Sequence, residues 1–230
     1  MMTSEREYTF DARSDIKELL DMLLIPDVDE GRYRGAMYAL GVVMAKNLLY
    51  KLDLSQSYCL ASTAEDADFL AKGIIDTLTG KVKKLSLVCF WNYHNTPFQG
   101  GESTAPIIKK FIEAGAVEAD NLIIVKSIIS GSCVVKTNLT SLIQDMTPER
   151  IYILAPIMHM NADKKLKQEF PTNITDKFDF QYLAKDQKRD EVTREVLPGI
   201  GGNVYALLGF GDQKTKNKYT PQIVQDRLFG

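Results

Sequence analysis

From Ser57 onward the chain alternates short apolar runs with segments whose apolar residues recur at three and four, and this rhythm limits the fold more than composition does. Taken as strands and helices in turn, the segments are 58–61, 64–78, 85–90, 105–114, 122–129, 134–144, 151–156, 162–170 and 178–183. Nearly continuous apolar strands separated by helices belong to a parallel sheet covered on both faces. Such sheets bind ligands beyond the carboxyl ends of their strands. We therefore expect an α/β protein, and at 230 residues one domain accommodates the whole chain.

Two helices are expected ahead of that alternation. Residues 15–24 place Ile16, Leu19, Leu20, Leu23 and Leu24 on one face, with Ser14 as N-cap and Pro26 beyond the end. Residues 33–51 carry Met37, Leu40, Met44 and Leu48 at helical spacing, which reads as core. A formal net charge of −2 supplies no global basic field, so nucleic acid is not an expected partner. Three cysteines without CxxC spacing, two of them (Cys59 and Cys89) in expected strands, suggest a reducing compartment, hence the cytoplasm. The N-terminus shows no basic segment followed by an apolar run, and no window is apolar enough to be a membrane helix.

The chemistry concentrates in residues 121–140, NLIIVKSIISGSCVVKTNLT, where an apolar strand enters a small-residue turn that opens an amphipathic helix. Unpaired amides at such a turn favour a phosphate. The candidate cradle is Ser130, Gly131, Ser132 and Cys133. Residues 94–103, rich in turn formers, read either as a flap over a site or as a solvated connection. His94 and His159 follow expected strands, yet they lack the neighbouring ligands a metal site needs. Lys164, Lys165 and Lys167, and again Lys214, Lys216 and Lys218, read as solvated charge runs.

The order of these pieces resembles the phosphoribosyltransferase fold, and within it the uracil phosphoribosyltransferase family. The likeness is carried by the helix RYRGAMYALGVVMAKNL, the 122–142 unit, the stretch ERIYILAPIMHMNADKKLKQEFP, and the glycine-rich LPGIGGNVYALLGFGD. The resemblance implies a type I phosphoribosyltransferase-like parallel sheet flanked by helices. It divides the domain into an N-terminal helical arm (1–54), an α/β core (55–184) and a C-terminal glycine-rich hood (185–230). It also implies phosphoribosyl pyrophosphate (PRPP) as co-substrate, Mg²⁺ as cofactor and a homodimer. By the same resemblance Lys126 and Ser127 occupy the ribose end of the PRPP motif, and Ile200, Gly201, Gly202, Asn203 and Asp212 fall where the acceptor base is held.

Three departures bear on function. The family places acidic residues where this chain has Lys126-Ser127, and a lysine has donors only. Its pyrophosphate turn contains arginine, whereas Glu65, Asp66 and Asp68 stand here and would repel pyrophosphate unless a cation intervened. As a plain structural feature the same acids, behind Ser62 or Thr63, cap a helix. Asn203 replaces an expected aspartate, while Asp212 offers a carboxylate further on. The sequence leaves three readings open. One is a transferase acting from PRPP on a pyrimidine-like base. Another is a catalytically degenerate, regulatory relative that binds a nucleotide. The last is a divergent enzyme acting on a phosphorylated sugar or nucleotide, with Glu65, Asp66 or Asp68 as base or metal ligand.

Overall fold

The computed structural model describes residues 6–9, 13–95 and 103–230. The chain begins with β1 (Arg6–Tyr8), α1 (Ser14–Met22) and α2 (Glu30–Leu49). A long helical region follows β2 (Ser57–Thr63): α3 (Ala64–Asp66), a π-helical turn at Ala67–Ala71, and α4 (Lys72–Leu78). Next come β3 (Lys84–Asn92), β4 (Ile107–Ile112), β5 (Asn121–Val125), β6 (Ile128–Ile129) and α5 (Cys133–Leu142). The second half contains β7 (Ile151–His159), α6 (Ala162–Gln168), α7 (Thr172–Thr175), β8 (Phe178–Asp186), β9 (Lys188–Arg189) and β10 (Val196–Leu197). Three short helices close it: α8 (Val204–Leu207), α9 (Gln213–Lys218) and α10 (Gln222–Phe229).

The main sheet runs β1-β8-β7-β5-β2-β3-β4, with β6 beside β7. Its five central strands are parallel, and β1 and β4 are antiparallel edges. Numbered by chain order alone, the parallel strands lie 2-1-3-4-5, so the order reverses between β2 and β5. Crevices form at such a reversal because the connections leave the two strands toward opposite faces. Strand alternation feeds both faces: Leu60, Leu87, Trp91 and Ile123 meet α1, α2 and the β2–β3 helices, while Ala61, Val88, Phe90 and Ile124 meet Val135 and Leu139 of α5.

The structure corrects the sequence reading in several places. Residues 105–114, with Ile107, Ile108, Phe111 and Ile112 at helix-like spacing, form the edge strand β4 instead. Pairing to β3 satisfies this segment's backbone and seats its β-branched residues, which outweighs the local period. Ser14 is not a cap: Arg13 precedes α1 and makes no side-chain cap bond. Met37, Leu40, Met44 and Leu48 of α2 are core residues, as their spacing predicts, and Tyr33 joins them. There α2 crosses the following helical region closely. A Cβ at Gly41 would stand 2.2 Å from the Leu70 carbonyl oxygen, and one at Gly73 would stand 2.2 Å from that of Tyr38. Cys59 and Cys89 are buried free thiols in β2 and β3, as expected.

Candidate functional site

The crevice beyond β2 and β5 is filled by charge. Strand β2 ends at Thr63 and turns straight into a helix, placing Glu65 and Asp66 beyond its carboxyl end. Strand β5 ends at Val125 and delivers Lys126 to the same place. The Lys126 ammonium lies 2.6 Å from Asp66 Oδ2 and 3.3 Å from Glu65 Oε1. Asp66 Oδ2 also accepts from the Ser127 amide at 3.2 Å and the Thr63 hydroxyl at 2.9 Å. From the C-terminal segment Lys216 reaches in. Its ammonium donates to the Asn92 carbonyl oxygen at 2.8 Å and stands 3.5 Å from Glu65 Oε2. At that range the pair is an ion pair without a hydrogen bond, and Glu65 Oε2 has no hydrogen-bond partner among the described residues.

All four groups are withdrawn from water: Glu65 is 3 % exposed, Asp66 1 %, Lys126 8 % and Lys216 0 %. Two carboxylates and two ammoniums form a neutral cluster, which is how buried charge is normally tolerated. Burial alone would push the Glu65 carboxyl up, but Lys126 and Lys216 outweigh it and hold it below its usual range. Burial opposes the charged form of Lys126 too, and Asp66 and Glu65 more than reverse that, raising its pKa. Lys216 goes the other way, because burial outweighs Glu65. Tyr205 closes the cluster from the C-terminal segment, its hydroxyl pKa raised by burial and by Glu65, with Lys216 over its ring at 5.3 Å. His94 stands at the rim, its pKa lowered by burial and by Lys126.

Behind the cluster, Asn92 and Asn138 exchange amide hydrogen bonds of 2.8 and 3.1 Å, tying β3 to α5. A void of about 10 Å³ lined by Ser62, Lys126 and Asn138 lies beside them. It has room for about one water molecule and none for a base. Glu65 and Asp66 do not fit a Mg²⁺ ion, because both Glu65 oxygens and Asp66 Oδ2 already face ammonium groups. No group of three or more His, Cys, Asp or Glu side chains among the described residues is arranged to hold a metal ion.

The small-residue turn lies three residues past Ser127. A Cβ on Gly131 would meet nothing within 4 Å among the described residues, so the turn is open toward them. Ser132 precedes α5 without capping it; its hydroxyl donates to Glu169 at 3.0 Å, and Lys136 pairs with the same carboxylate at 2.5 Å. The Arg189 guanidinium donates to the Ser130 carbonyl oxygen and brings positive charge to the turn. His159, buried at the end of β7, has its pKa lowered by burial and then by Arg189. The Cys133 thiol donates to the Ser103 carbonyl oxygen at 3.1 Å. Residues 96–102 of the expected flap lie outside the described residues; at its base Asn95 and Thr104 form an antiparallel bridge.

Other candidates have structural positions. Asp68 sits at the start of α10, accepting from the amides of Gln222 at 2.8 Å and Ile223 at 2.9 Å and from the Tyr219 hydroxyl. It is a cap donated by another segment, and it does not join Glu65 and Asp66. Asn203 caps α8 by accepting from the Tyr205 amide, and Asp212 caps α9 by accepting from that of Thr215. The Ile200 carbonyl oxygen accepts from the Tyr33 hydroxyl at 2.8 Å. Gly201, at φ +89°, passes so near the Leu23 carbonyl oxygen that a Cβ would sit 2.0 Å from it, whereas Gly202 is open. Sequence reasoning put Lys216 in a solvated run and did not select Tyr205 or Arg189. The Lys216 reading is corrected by its burial; no local pattern distinguishes it from exposed Lys214 and Lys218.

The fold and crevice define a mixed α/β protein with a mostly parallel sheet flanked by helices. No family model matches the chain, and no curated protein matches it. Solved structures do. The AQ2163 protein from Aquifex aeolicus superposes with a TM-score of 0.65 at 12 % identity, covering 86 % of this chain and 95 % of that one. A hypothetical protein from Neisseria gonorrhoeae with bound ppGpp gives 0.43 at 11 % identity over 66 % and 80 % of the two chains. A purine phosphoribosyltransferase from Pyrococcus horikoshii gives 0.40 at 13 % identity over 66 % and 85 %. The first of these likenesses is one of fold alone. Among the described residues no helix is long and apolar enough to cross a membrane.

Proposed function

We propose that this protein is a phosphoribosyltransferase-like binder of a phosphorylated nucleotide or sugar, held by the Ser130–Cys133 turn, in which Mg²⁺–PRPP transfer is lost. The observation carrying this reading is the Lys126 ammonium seated between Asp66 and Glu65. It converts the ribose end of the resembled motif into an internal ion cluster. A PRPP molecule would have to break contacts among groups that are almost wholly desolvated, leaving buried charges unpaired. The turn is different: it is open at Gly131, and Arg189 supplies the positive charge a phosphate would use.

The second reading is a working transferase on a pyrimidine-like base, supported by the open turn and by the motif resemblance. Calorimetric titration with UMP and with PRPP, each with and without Mg²⁺, separates the two. Binding of UMP without Mg²⁺-dependent binding of PRPP supports the binder, and Mg²⁺-dependent PRPP binding overturns it in favour of transfer. The Gly131→Val variant is expected to fold normally, since its Cβ meets nothing among the described residues, and to lose UMP binding. The homodimer implied by the resemblance belongs to the same proposal, and sedimentation velocity tests it.

A further inference from the structure

We propose that the groove between β4 and α10 is a separate binding site for a small aromatic anion. The groove is open to solvent, has a volume of about 640 Å³ and is lined by none of Glu65, Asp66, Lys126 or Lys216. That size is within the range of pockets that hold organic ligands. Its walls include Phe111 of β4, Tyr219, and Leu228 and Phe229 of α10; Leu228 is 52 % exposed and Phe229 85 %. Lys109, Lys110 and Lys218 also line it, with no carboxylate among the lining residues.

Among the described residues none of these lysines forms an ion pair. Lys109 lies over the Trp91 ring at 4.1 Å and touches the Thr220 hydroxyl at 3.4 Å. A groove with apolar walls and uncompensated positive charge selects for a ligand that is flat, apolar and anionic. A second copy of the chain is a poor occupant. Pairing two β4 edges would bring Lys109 and Lys110 of each copy toward their counterparts, the device by which edge strands avoid self-association.

The chain contains one tryptophan, Trp91, which lines this groove, so its emission reports occupancy there. The test is a fluorescence titration of the full chain with 2-naphthoate and, in parallel, with neutral 2-naphthamide. We expect a saturable change with naphthoate, weakened about tenfold for naphthamide and about tenfold in a Lys109→Glu, Lys218→Glu double variant. A Leu228→Glu variant, which puts a negative charge at a half-exposed wall position, is expected to lose the response without loss of fold. Gly131→Val is expected to leave it unchanged, which separates this site from the phosphate turn. Equal affinity for the amide, indifference to the charge reversals, or no saturable response overturns the proposal.

Discussion

Lys126 decides the chemistry of the crevice. Replacing it with Met would leave Asp66 and Glu65 buried beside the remaining Lys216, and breaking a buried pair by removing one partner costs about 3–5 kcal/mol. Urea unfolding of Lys126→Met is expected to show that loss, with part of it recovered when Asp66→Asn is added. The same group sets the acid limb of stability. Because the folded protein holds the Glu65 carboxyl below its ordinary 4.5, the unfolded chain binds the extra proton first. This contribution is fully present above 4.5 and fades as pH falls through the lower folded value. In Lys126→Met a main opposing charge is gone and burial pushes the Glu65 pKa up toward or past its unfolded value, so the fall in stability that Glu65 contributes on acidification should be displaced toward zero or reversed. Urea midpoints across the acid range would show no such displacement if the Lys126–Glu65 contact carried no weight.

The helical region after β2 is the element that reaches furthest through the molecule. Its first turn holds Glu65 and Asp66, its π turn sets Asp68 against α10, and α4 lies against α2. π turns often accompany functional positions, and here the turn coincides with a change in which segment the carboxylates serve. Asp68→Asn is expected to cost about 1–2 kcal/mol, through the weakened N-terminal contacts of α10. Hydrogen exchange should register it as faster exchange in α10 with the β2–β5 core unchanged. Gly73→Ala forces a Cβ onto the Tyr38 carbonyl oxygen, and overpacking of this sort costs about 1–3 kcal/mol or more. A thermal midpoint equal to that of the parent would show that the α2–α4 crossing yields instead.

Across the whole molecule, the N-terminal strand is clasped to the start of the C-terminal segment at one buried ion pair. Arg6 meets Asp186 through two hydrogen bonds of 2.8 Å and donates to the Gly199 carbonyl oxygen at 2.5 Å. Asp186 accepts in turn from the Gly199 amide at 2.9 Å. The clasp joins edge strand β1, the last core strand and the start of the hood, so Arg6→Met should destabilise by about 3–5 kcal/mol. Limited proteolysis is expected to cut first near residues 199–212. Cleavage confined to other loops would show that Tyr33 and Arg34, which also hold the hood, suffice without it.

Much of the α/β core was legible from local signals. Strands β2, β3, β5 and β7 declare themselves as apolar runs because both faces are buried, and α2 shows its core face by spacing. The turn at Ser130–Cys133 could be located because small residues between an apolar strand and a helix leave few other folds for that backbone. What tertiary structure decided was pairing. Whether 105–114 became helix or edge strand depended on β3, fifteen residues upstream at its nearest pair. Whether Glu65 and Asp66 met a metal, a ligand or Lys126 depended on β2 and β5 being neighbours. Lys216 and Asp68 acquired buried or capping partners only when the C-terminal segment folded back over the sheet. Periodicity records which face of an element avoids water; a charge's partner is set by distance in space, and no local pattern encodes that distance.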